Sequence, residues 1–317
     1  MAVKTLTNQE VIDLLPSVDV MATLEKMFGA LGRGEALQPT QVQTVFPAGR
    51  GDFINYSGVW MSAGVYGIKT SPYIVKENGY IVTAWTLLMS TETGEPLLLV
   101  DGSRLTLERT AATTALAVRY LAKPSAKRLA IIGSGAQALA HLRYVAGLRD
   151  WESIRVWSLN SAQLTQAQKA SFIEAGQGKV AFTETKADAL KEADVILLCT
   201  SAADAVVSEA DFTGTPLITS ISTNATNAHE IDPALLSKMA VFCDCTAATA
   251  TVAGEMRLAA QAGTWSPEQV VGDLGDLVNG RVHCPEDKPV FFRSIGQGLE
   301  DIAIALAVWE KSKEFEN

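Results

Sequence analysis

The feature that most constrains the fold of this chain is a glycine-rich segment between an apolar run and a helix-like run. Residues 129–132 are apolar, Gly133, Gly135 and Ala138 follow with the spacing G-x-G-x-x-A, and residues 136–148 have helical periodicity. The first glycine permits a tight turn, the second lets a pyrophosphate approach the backbone, and the helix N-terminus offers unpaired N–H groups to the anion. This context predicts a dinucleotide-binding turn, with an ordinary strand-to-helix turn as the alternative.

The sequence around this segment alternates short apolar runs with helix-like segments. Continuous apolar runs are typical of strands that are buried on both faces of a parallel sheet. Strands are predicted at residues 128–132, 154–158, 180–183, 195–199, 217–222 and 241–245, with helices at 136–148 and 161–175. The predicted fold class is therefore α/β, with a Rossmann-type, doubly wound parallel sheet.

The flanking regions have a different pattern and predict a second, α+β domain. Residues 8–33 predict two amphipathic helices broken near Pro16, and residues 298–314 predict an amphipathic helix that returns to this domain. An antiparallel sheet is predicted from β-prone runs at 43–46, 67–75, 81–90 and 96–100, separated by turn signals at 49–52, 78–79 and 93–94, and an alanine-rich helix follows at 111–121. The expected division is a substrate-binding and dimerisation domain of residues 1–112 and 293–317, and a dinucleotide-binding domain of residues 113–292.

Composition limits the class of protein. With 317 residues, 48% of them hydrophobic and 19% charged, the chain has enough apolar side chains for two packed domains. Its formal net charge of −9 disfavours nucleic acid or a membrane as a partner, because phosphate binding depends on clustered Lys and Arg. No leader-like or membrane-spanning apolar segment is visible, so a cytoplasmic protein is expected.

The cysteines and histidines indicate no metal site. The four cysteines, at positions 199, 243, 245 and 284, have no zinc-ligand spacing, and those at 243 and 245 are interpreted as a buried strand end. His141, His229 and His283 have no helical i, i+4 partner.

The end of the second predicted strand bears on the choice of cofactor. An acidic residue normally binds the ribose hydroxyls of NAD about 20 residues beyond the glycines. Here the strand ends in Ser158, followed by Leu159, Asn160 and Ser161. A 2′-phosphate is then not repelled, although no arginine is present to clamp it. The sequence therefore favours NADPH slightly and leaves NADH open.

Two cations are candidates for binding an anionic substrate. Arg109 precedes the helix predicted at 111–121, where its guanidinium can bind a carboxylate through two parallel hydrogen bonds; pairing with Glu108 at the surface is the alternative. Lys69 lies in a predicted strand, where a lysine is usually solvated. In a cleft beside Arg109, its pKa would fall and it could donate a proton.

These motifs together carry a family likeness. They are Lys69, residues 93–96 with Asp101 and Gly102, residues 109–112, the loop at 133–138, and residues 292–296 ahead of Asp301. The chain resembles the ornithine cyclodeaminase/mu-crystallin family from about Val11 to Trp309.

The resemblance implies a homodimer whose N-terminal sheet domain, completed by the C-terminal helix, forms the interface and much of the substrate pocket, while the central domain brings the nicotinamide there. It implies that Arg109 binds the substrate carboxylate and that Lys69 contacts it or donates a proton. The expected cofactor-binding residues are Thr110, Gly133, Gly135, Ala136, Gln137, Ser158, Asn160, Ser161, Thr200, Ser222, Ser294 and Gly296.

Departures from the family pattern narrow the expected reaction. Cyclodeaminases carry an aspartate six positions before the glutamate that matches Glu230, where this chain has Asn224, and an amide cannot act as a general base. The region around Val59 also lacks the acid expected to hold the distal amine of ornithine, and Gln41 replaces a carboxylate-binding arginine of many members. The expected substrate-binding residues are Gln41, Lys69, Arg109 and Asn224.

The predicted function is NAD(P)H-dependent reduction of a small anionic imino acid, 1-pyrroline-2-carboxylate to L-proline, with 1-piperideine-2-carboxylate to L-pipecolate as a second ring size. Such a reaction needs a hydride donor, a cation for the carboxylate and a proton for nitrogen, but no carboxylate base. The alternatives are ornithine cyclodeaminase, an alanine-type amino acid dehydrogenase, and a non-catalytic NADPH-dependent binding protein like mu-crystallin.

Overall fold

The chain divides into two compact units in the computed structural model, which describes residues 3–222 and 226–314. The N-terminal unit consists of Met1–Arg109 and Gln297–Asn317, and the central unit of Thr110–Gly296. The sequence placed these boundaries three or four residues away, at 112/113 and 292/293. The first boundary falls inside one continuous helix, Ser103–Leu121, so no local sequence signal marks it.

The N-terminal unit is a sheet with three helices of its own. Its strands are β1 (Lys4–Leu6), β2 (Ala36–Leu37), β3 (Val42–Val45), β4 (Gly51–Trp60), β5 (Val65–Lys76), β6 (Gly79–Val82), β7 (Trp85–Ser90) and β8 (Pro96–Asp101), and its helices are α1 (Asn8–Leu14), α2 (Val20–Gly32) and α10 (Gly298–Glu314). Among the described residues the strand order is β1-β8-β7-β5-β4-β2, with β3 on β4 and β6 on β5. All pairs are antiparallel except β1 with β8.

Helix α10 packs closely on β4 and β5 because both strands carry a glycine there. A Cβ added to Gly58 would lie 2.8 Å from Leu299, and one added to Gly67 would lie 2.5 Å from Ile302. Side chains at these positions would therefore push the helix off the sheet. Residues 298–314, which the sequence assigns to this domain, form α10 and belong to the N-terminal unit.

The sequence predictions for this unit hold for the helices and partly fail for the strands. Two N-terminal helices are separated by a 3₁₀ turn, Leu15–Ser17, that contains the expected breaker Pro16. Strand β4 was missed, because Gly51 suggested a turn and the polar residues that follow hide the alternation. The run at 81–90 is two strands, β6 and β7, and β1 was also missed.

Helix α3 (Ser103–Leu121) begins eight residues before the predicted position, 111. Arg109 therefore lies within the helix and not ahead of it, which corrects the sequence prediction. The helix start is hidden in the sequence because Ser103 and Arg104 are polar and adjoin a strand.

The central unit is an α/β fold with a parallel sheet, as predicted. Its strands are β9 (Arg128–Ile132), β10 (Ser153–Trp157), β11 (Val180–Phe182), β12 (Val195–Leu198), β13 (Leu217–Ser220), β14 (Ala240–Cys243), β15 (Val270–Asp273) and β16 (Val290–Arg293), and its helices are α4 (Ala136–Val145), α5 (Gln166–Ala175), α6 (Lys186–Leu190), α7 (Thr246–Val252), α8 (Gly254–Gln261) and α9 (Leu274–Val278). In the described part of this unit the order is β11-β10-β9-β12-β13-β16-β14-β15, with every pair parallel.

The prediction of six strands in this unit was two short. The missed strands are β15 and β16, and β16 inserts between β13 and β14. Both are only four residues long, and the helix between them has five residues, so the alternation of strand and helix is too brief to see in the sequence. The helix predicted at 161–175 is a 3₁₀ turn, Ser161–Gln163, followed by α5, which Thr165 caps.

Within residues 3–222 and 226–314, no helix is both long and apolar enough to span a bilayer.

Candidate active site

A buried cluster of charges lies in the N-terminal unit, where β5, α3 and α10 meet. The ammonium of Lys69 lies 2.8 Å from Asp301 Oδ2. Arg109 Nε lies 3.3 Å from Asp301 Oδ1, and its Nη1 lies 3.2 Å from Glu300 Oε2. All four side chains are buried. The structure therefore brings the two predicted cations together on one pair of acids.

Neighbouring groups hold this cluster in place. The Thr106 hydroxyl donates to Asp301 Oδ1 at 3.1 Å, and the backbone N–H of Gln297 donates to Glu300 Oε1 at 3.0 Å. Tyr56 is opposite Lys69 in the register of β4 and β5, and the Lys69 ammonium lies 4.3 Å from the centre of its ring. Lys69 is thus fixed between a carboxylate and an aromatic face.

Burial and charge shift the ionisation of these groups. Burial lowers the pKa of Lys69, and the nearby Asp301 offsets this only in part. For Asp301, burial favours the neutral form, but Arg109 and Lys69 together hold its pKa below the ordinary value. Burial raises the pKa of Tyr56 to about 12. The cluster therefore contains an ionised carboxylate, a guanidinium and an ammonium that releases its proton more readily than a solvated lysine.

The structure contradicts the alternative interpretations of the two cations, a surface pair of Arg109 with Glu108 and a solvated Lys69. Arg109 does not pair with Glu108, which binds Arg104 at 2.6 Å along the same helix. Lys69 is 3% exposed, so it is not a solvated strand residue. A guanidinium can bind a carboxylate in two-pronged fashion, and a lysine with a lowered pKa can donate a proton. The cluster therefore has the chemistry needed to bind and protonate an anionic substrate.

The glycine-rich turn of the central unit has the form that an anion-binding loop requires. Gly133 has φ of +127°, and a Cβ there would lie 2.3 Å from the carbonyl oxygen of Cys199. Gly135 is the N-cap of α4 and makes no side-chain cap, so the first N–H groups of the helix are not used by a capping side chain.

A cavity of about 840 Å³ opens beside this turn at the carboxyl ends of the strands. Its lining includes the predicted residues Gly133, Gly135, Ala136, Gln137, Ser158, Asn160 and Thr200. This volume falls within the usual range for small-molecule and cofactor sites. The residues and the cavity fit a dinucleotide at the edge of the sheet where such cofactors bind.

Three hydroxyl groups meet at the end of β10. The Ser134 and Ser158 Oγ atoms are 2.7 Å apart, the Ser158 and Ser161 Oγ atoms are 3.2 Å apart, and the backbone N–H of Ser158 donates to Ser161 Oγ at 2.8 Å. Lys186 lines the same cavity and forms an ion pair with Asp211 at 2.8 Å. The sequence did not suggest Lys186 or Ser134, which approach the strand end only in the fold.

Two buried acids that sequence reasoning did not assign hold the other predicted cofactor residues. Glu230 accepts hydrogen bonds from Thr200, Ser220 and Ser222. Asp244 Oδ2 accepts from the Ser294 hydroxyl at 3.0 Å and from the backbone N–H of Gly296 at 3.0 Å. The structure thus groups Thr200 with Ser222, and Ser294 with Gly296. For Asp244, the signal in the sequence was a single acid directly after an apolar strand, in Cys243-Asp244-Cys245.

The remaining predicted residues are Thr110, Gln41 and Asn224. Thr110 is buried in α3, and Gln41 is partly exposed just before β3. Asn224 lies outside the described residues.

His141 is buried in α4, where its Nδ1–H donates to the Gln137 carbonyl at 2.7 Å, and burial lowers its pKa to about 4. In the described ranges, no group of three or more His, Cys, Asp or Glu could hold a metal ion.

Comparison with known proteins gives matches over most or nearly all of the chain. The model of the ornithine cyclodeaminase/mu-crystallin family matches residues 2–316. The NAD(P)H-dependent anabolic L-arginine dehydrogenase DauB of Pseudomonas aeruginosa is 51% identical over 301 residues, which cover 95% of this chain and 94% of that protein. The delta(1)-pyrroline-2-carboxylate reductase of Bacillus cereus is 29% identical over 249 residues, 76% of each chain.

A solved structure also matches. The iminosuccinate reductase of Paracoccus denitrificans, determined in complex with NAD⁺, is similar with a TM-score of 0.90 and 26% identity, covering 99% of this chain and 97% of that one.

Proposed function

This chain belongs to the ornithine cyclodeaminase/mu-crystallin family and is an NAD(P)H-dependent oxidoreductase, and we propose that it reduces the C=N bond of an open-chain α-imino acid to an L-amino acid. The preferred substrate is the imine that ammonia forms with 5-guanidino-2-oxopentanoate, and the product is L-arginine. The observation that carries this choice is the 51% identity with the L-arginine dehydrogenase of Pseudomonas aeruginosa over 95% of the chain.

The buried charge cluster supplies two of the three elements that the reaction needs. Arg109 binds the α-carboxylate, since its guanidinium matches a carboxylate in charge and shape. Lys69 gives a proton to the substrate nitrogen, and Asp301, 2.8 Å from its Nζ, favours the ammonium form beforehand. The reduced nicotinamide, when bound, supplies the hydride to the imine carbon. A water held by Lys69 is an equivalent proton source.

Cyclic imino acids are the second candidate substrates. Reduction of 1-pyrroline-2-carboxylate to L-proline, or of 1-piperideine-2-carboxylate to L-pipecolate, needs the same carboxylate cation and the same proton donor. The match to the pyrroline-2-carboxylate reductase of Bacillus cereus favours this candidate, but its identity of 29% over 76% of the chain is lower. A purely binding role is disfavoured because the chain has both a cation for the carboxylate, Arg109, and a proton donor, Lys69, in one cluster.

The test is cofactor oxidation followed by absorbance, with NADPH and with NADH. The substrates are 5-guanidino-2-oxopentanoate with ammonium, pyruvate with ammonium, and the five- and six-membered cyclic imino acids. The highest kcat/KM with the guanidino acid would support the proposal. The highest kcat/KM with a ring substrate would instead support the reduction of cyclic imino acids. Release of ammonia and proline from L-ornithine with NAD⁺ would contradict both candidates.

The serines at the end of β10 favour NADPH as the cofactor, and this gives a prediction for Ser158→Asp. A carboxylate at this position repels a 2′-phosphate and accepts hydrogen bonds from free ribose hydroxyls. We expect the KM for NADPH to rise on the order of 10-fold or more while the KM for NADH stays the same or falls. The measurement is kcat/KM for both cofactors.

Ser237→Asp is the control for the added charge, because Ser237 is an exposed residue elsewhere in the central unit. It should leave the cofactor ratio within about two-fold. If Ser158→Asp left the ratio of kcat/KM for NADPH to kcat/KM for NADH unchanged, the serines at the end of β10 would not take part in cofactor recognition.

A homodimer forms through the exposed apolar surface of β3 and β6 in the N-terminal unit. Val42, Val45, Tyr80 and Val82 are all more than half exposed there. Exposed apolar side chains on two edge strands, β3 beside β4 and β6 beside β5, mark an interaction surface, and a second copy of this chain matches what the family resemblance implies. Tyr80→Glu should therefore yield monomers by light scattering after size-exclusion chromatography. Ile173→Glu is the control, because it changes an exposed apolar residue of α5, and this variant should stay dimeric. If Tyr80→Glu stayed dimeric, the interface would lie elsewhere.

A further inference from the structure

Glu230 is a buried carboxylate that joins two strand ends of the central unit. Its side chain is 0% exposed. Thr200 donates to Oε1 from its backbone N–H at 2.8 Å and from its hydroxyl at 2.7 Å. The Ser220 hydroxyl and the Ser222 backbone N–H donate to Oε2 at 2.7 Å and 3.0 Å. Four donors from two separate segments thus meet on one side chain.

The two segments that Glu230 joins lie at the carboxyl ends of β12 and β13, and the second includes Ser220, the last residue of β13. Thr200 and Ile221, which belong to these segments, line the 840 Å³ cavity beside the glycine-rich turn. The strand order reverses between β9 and β12, and a dinucleotide binds across such a reversal, with its two halves on opposite sides. The glycine-rich turn and Ser158 lie on the β9–β10 side, so the segments held by Glu230 lie on the side of the nicotinamide half.

The backbone of Glu230 adds a third attachment. Its carbonyl accepts hydrogen bonds from the N–H groups of Val206 and Val207 at 2.8 Å and 3.1 Å. The residue therefore fixes the segment after β12 at two points and the segment after β13 at a third. Hydrogen bonds to a charged group are stronger than neutral ones, and a backbone N–H that loses its acceptor in a buried place is costly.

We propose that Glu230 is a positioning residue for the nicotinamide half of the cofactor. By holding the ends of β12 and β13 at a set separation, it shapes the surface on which that half rests, without touching the reacting atoms. The inference depends on the nicotinamide cofactor and is independent of which imino acid is the substrate.

The experiment measures the binding of NADPH and of adenosine 2′,5′-bisphosphate, which contains only the adenine half, by isothermal calorimetry without substrate. The variants are Glu230→Ala and Glu230→Gln. The glutamine keeps the shape but turns one acceptor into a donor, so one backbone N–H loses its partner. We expect Kd for NADPH to rise on the order of 10- to 100-fold in both variants and Kd for the bisphosphate to change less than about three-fold.

Asp194→Asn is the matched control. Asp194 Oδ2 accepts backbone N–H groups of Lys127 and Arg128 at 2.9 Å each, so it joins strand ends in the same way, but at the amino edge of the sheet. It should lower the melting temperature as the Glu230 variants do, and leave both Kd values unchanged.

The outcomes separate the proposals. Equal weakening of both ligands, or unchanged NADPH binding in a folded Glu230→Gln protein, would overturn the positioning role. If the unaltered protein bound neither NADPH nor NADH, the cofactor assignment itself would fail. Loss of the imino acid activity alone would leave the Glu230 inference standing, since this assay contains no substrate.

Discussion

Arg109→Lys is expected to lower kcat/KM for the imino acid on the order of 100-fold, mainly through KM. Lysine keeps the positive charge that Asp301 and Glu300 need, but it offers a single point charge where the guanidinium offers two parallel N–H donors. Arg109→Ala removes the charge as well and should cost on the order of 10⁴-fold. It should also destabilise the fold by about 3–5 kcal/mol, because two buried carboxylates lose a cation.

Steady-state kinetics with a parallel thermal melt separates these effects. Arg104→Lys is the matched control, since Arg104 lies on the same helix and pairs with Glu108 at a partly exposed position. Such a pair contributes little, so kcat/KM should stay within about two-fold. If Arg109→Lys kept full kcat/KM at saturating cofactor, the carboxylate would have to bind elsewhere.

The glycine-rich turn after β9 was predictable because its information is local. Gly133, Gly135 and the helix that follows lie within a few residues of one another, and each has one physical task. Longer strands of the central unit were also visible, since burial on both faces makes them continuous apolar runs. Strands β15 and β16 were not, because four-residue strands bounded by a five-residue helix leave no periodic pattern.

The charge cluster was predictable only in part. Lys69 and Arg109 were recognised as cations, but their acidic partners were not, since Asp301 is 192 residues from Arg109 in the chain. Two adjacent acids in the first turn of a helix, Glu300 and Asp301, directly ahead of the apolar run 302–309, are the signal that was present. In isolation it is equally typical of a helix N-terminus that favours negative charge, so only the fold shows which cations the acids meet.

The proposed substrate differs from the one that the sequence predicts, for a related reason. From single residues, loss of the cyclodeaminase aspartate at position 224 favoured a reductase, but nothing in the sequence distinguished a ring from an open chain. Both substrate types present the same α-carboxylate and the same C=N bond to Arg109 and Lys69. The choice between them depends on the substrate side chain, for which local motifs carry no signal, and it is the similarity over the whole chain that favours the guanidino acid.

Lys69→Met is expected to lower kcat on the order of 10²- to 10⁴-fold, the usual contribution of a general acid. The pH dependence is the more specific result. Burial lowers the pKa of Lys69 from 10.5, so the ammonium is lost at a lower pH than for a solvated lysine. In the unaltered enzyme kcat should therefore fall as pH rises, with a midpoint below 10.5. The Lys69→Arg variant should fold and keep the positive charge. Its kcat should not show this fall at high pH, here called the basic limb, because arginine does not lose its proton in that pH range.

Asp301→Asn tests the sign of the coupling within the cluster. Asp301 raises the pKa of Lys69 against the effect of burial, so its neutralisation should move the basic limb of kcat to lower pH. Lys76→Met is the control, because Lys76 is at the exposed end of the same strand and should leave both kcat and the limb unchanged. A basic limb that persisted unmoved in Lys69→Arg and in Asp301→Asn would assign the proton to another donor. Tyr56, against whose ring the ammonium packs, would then be the first residue to test.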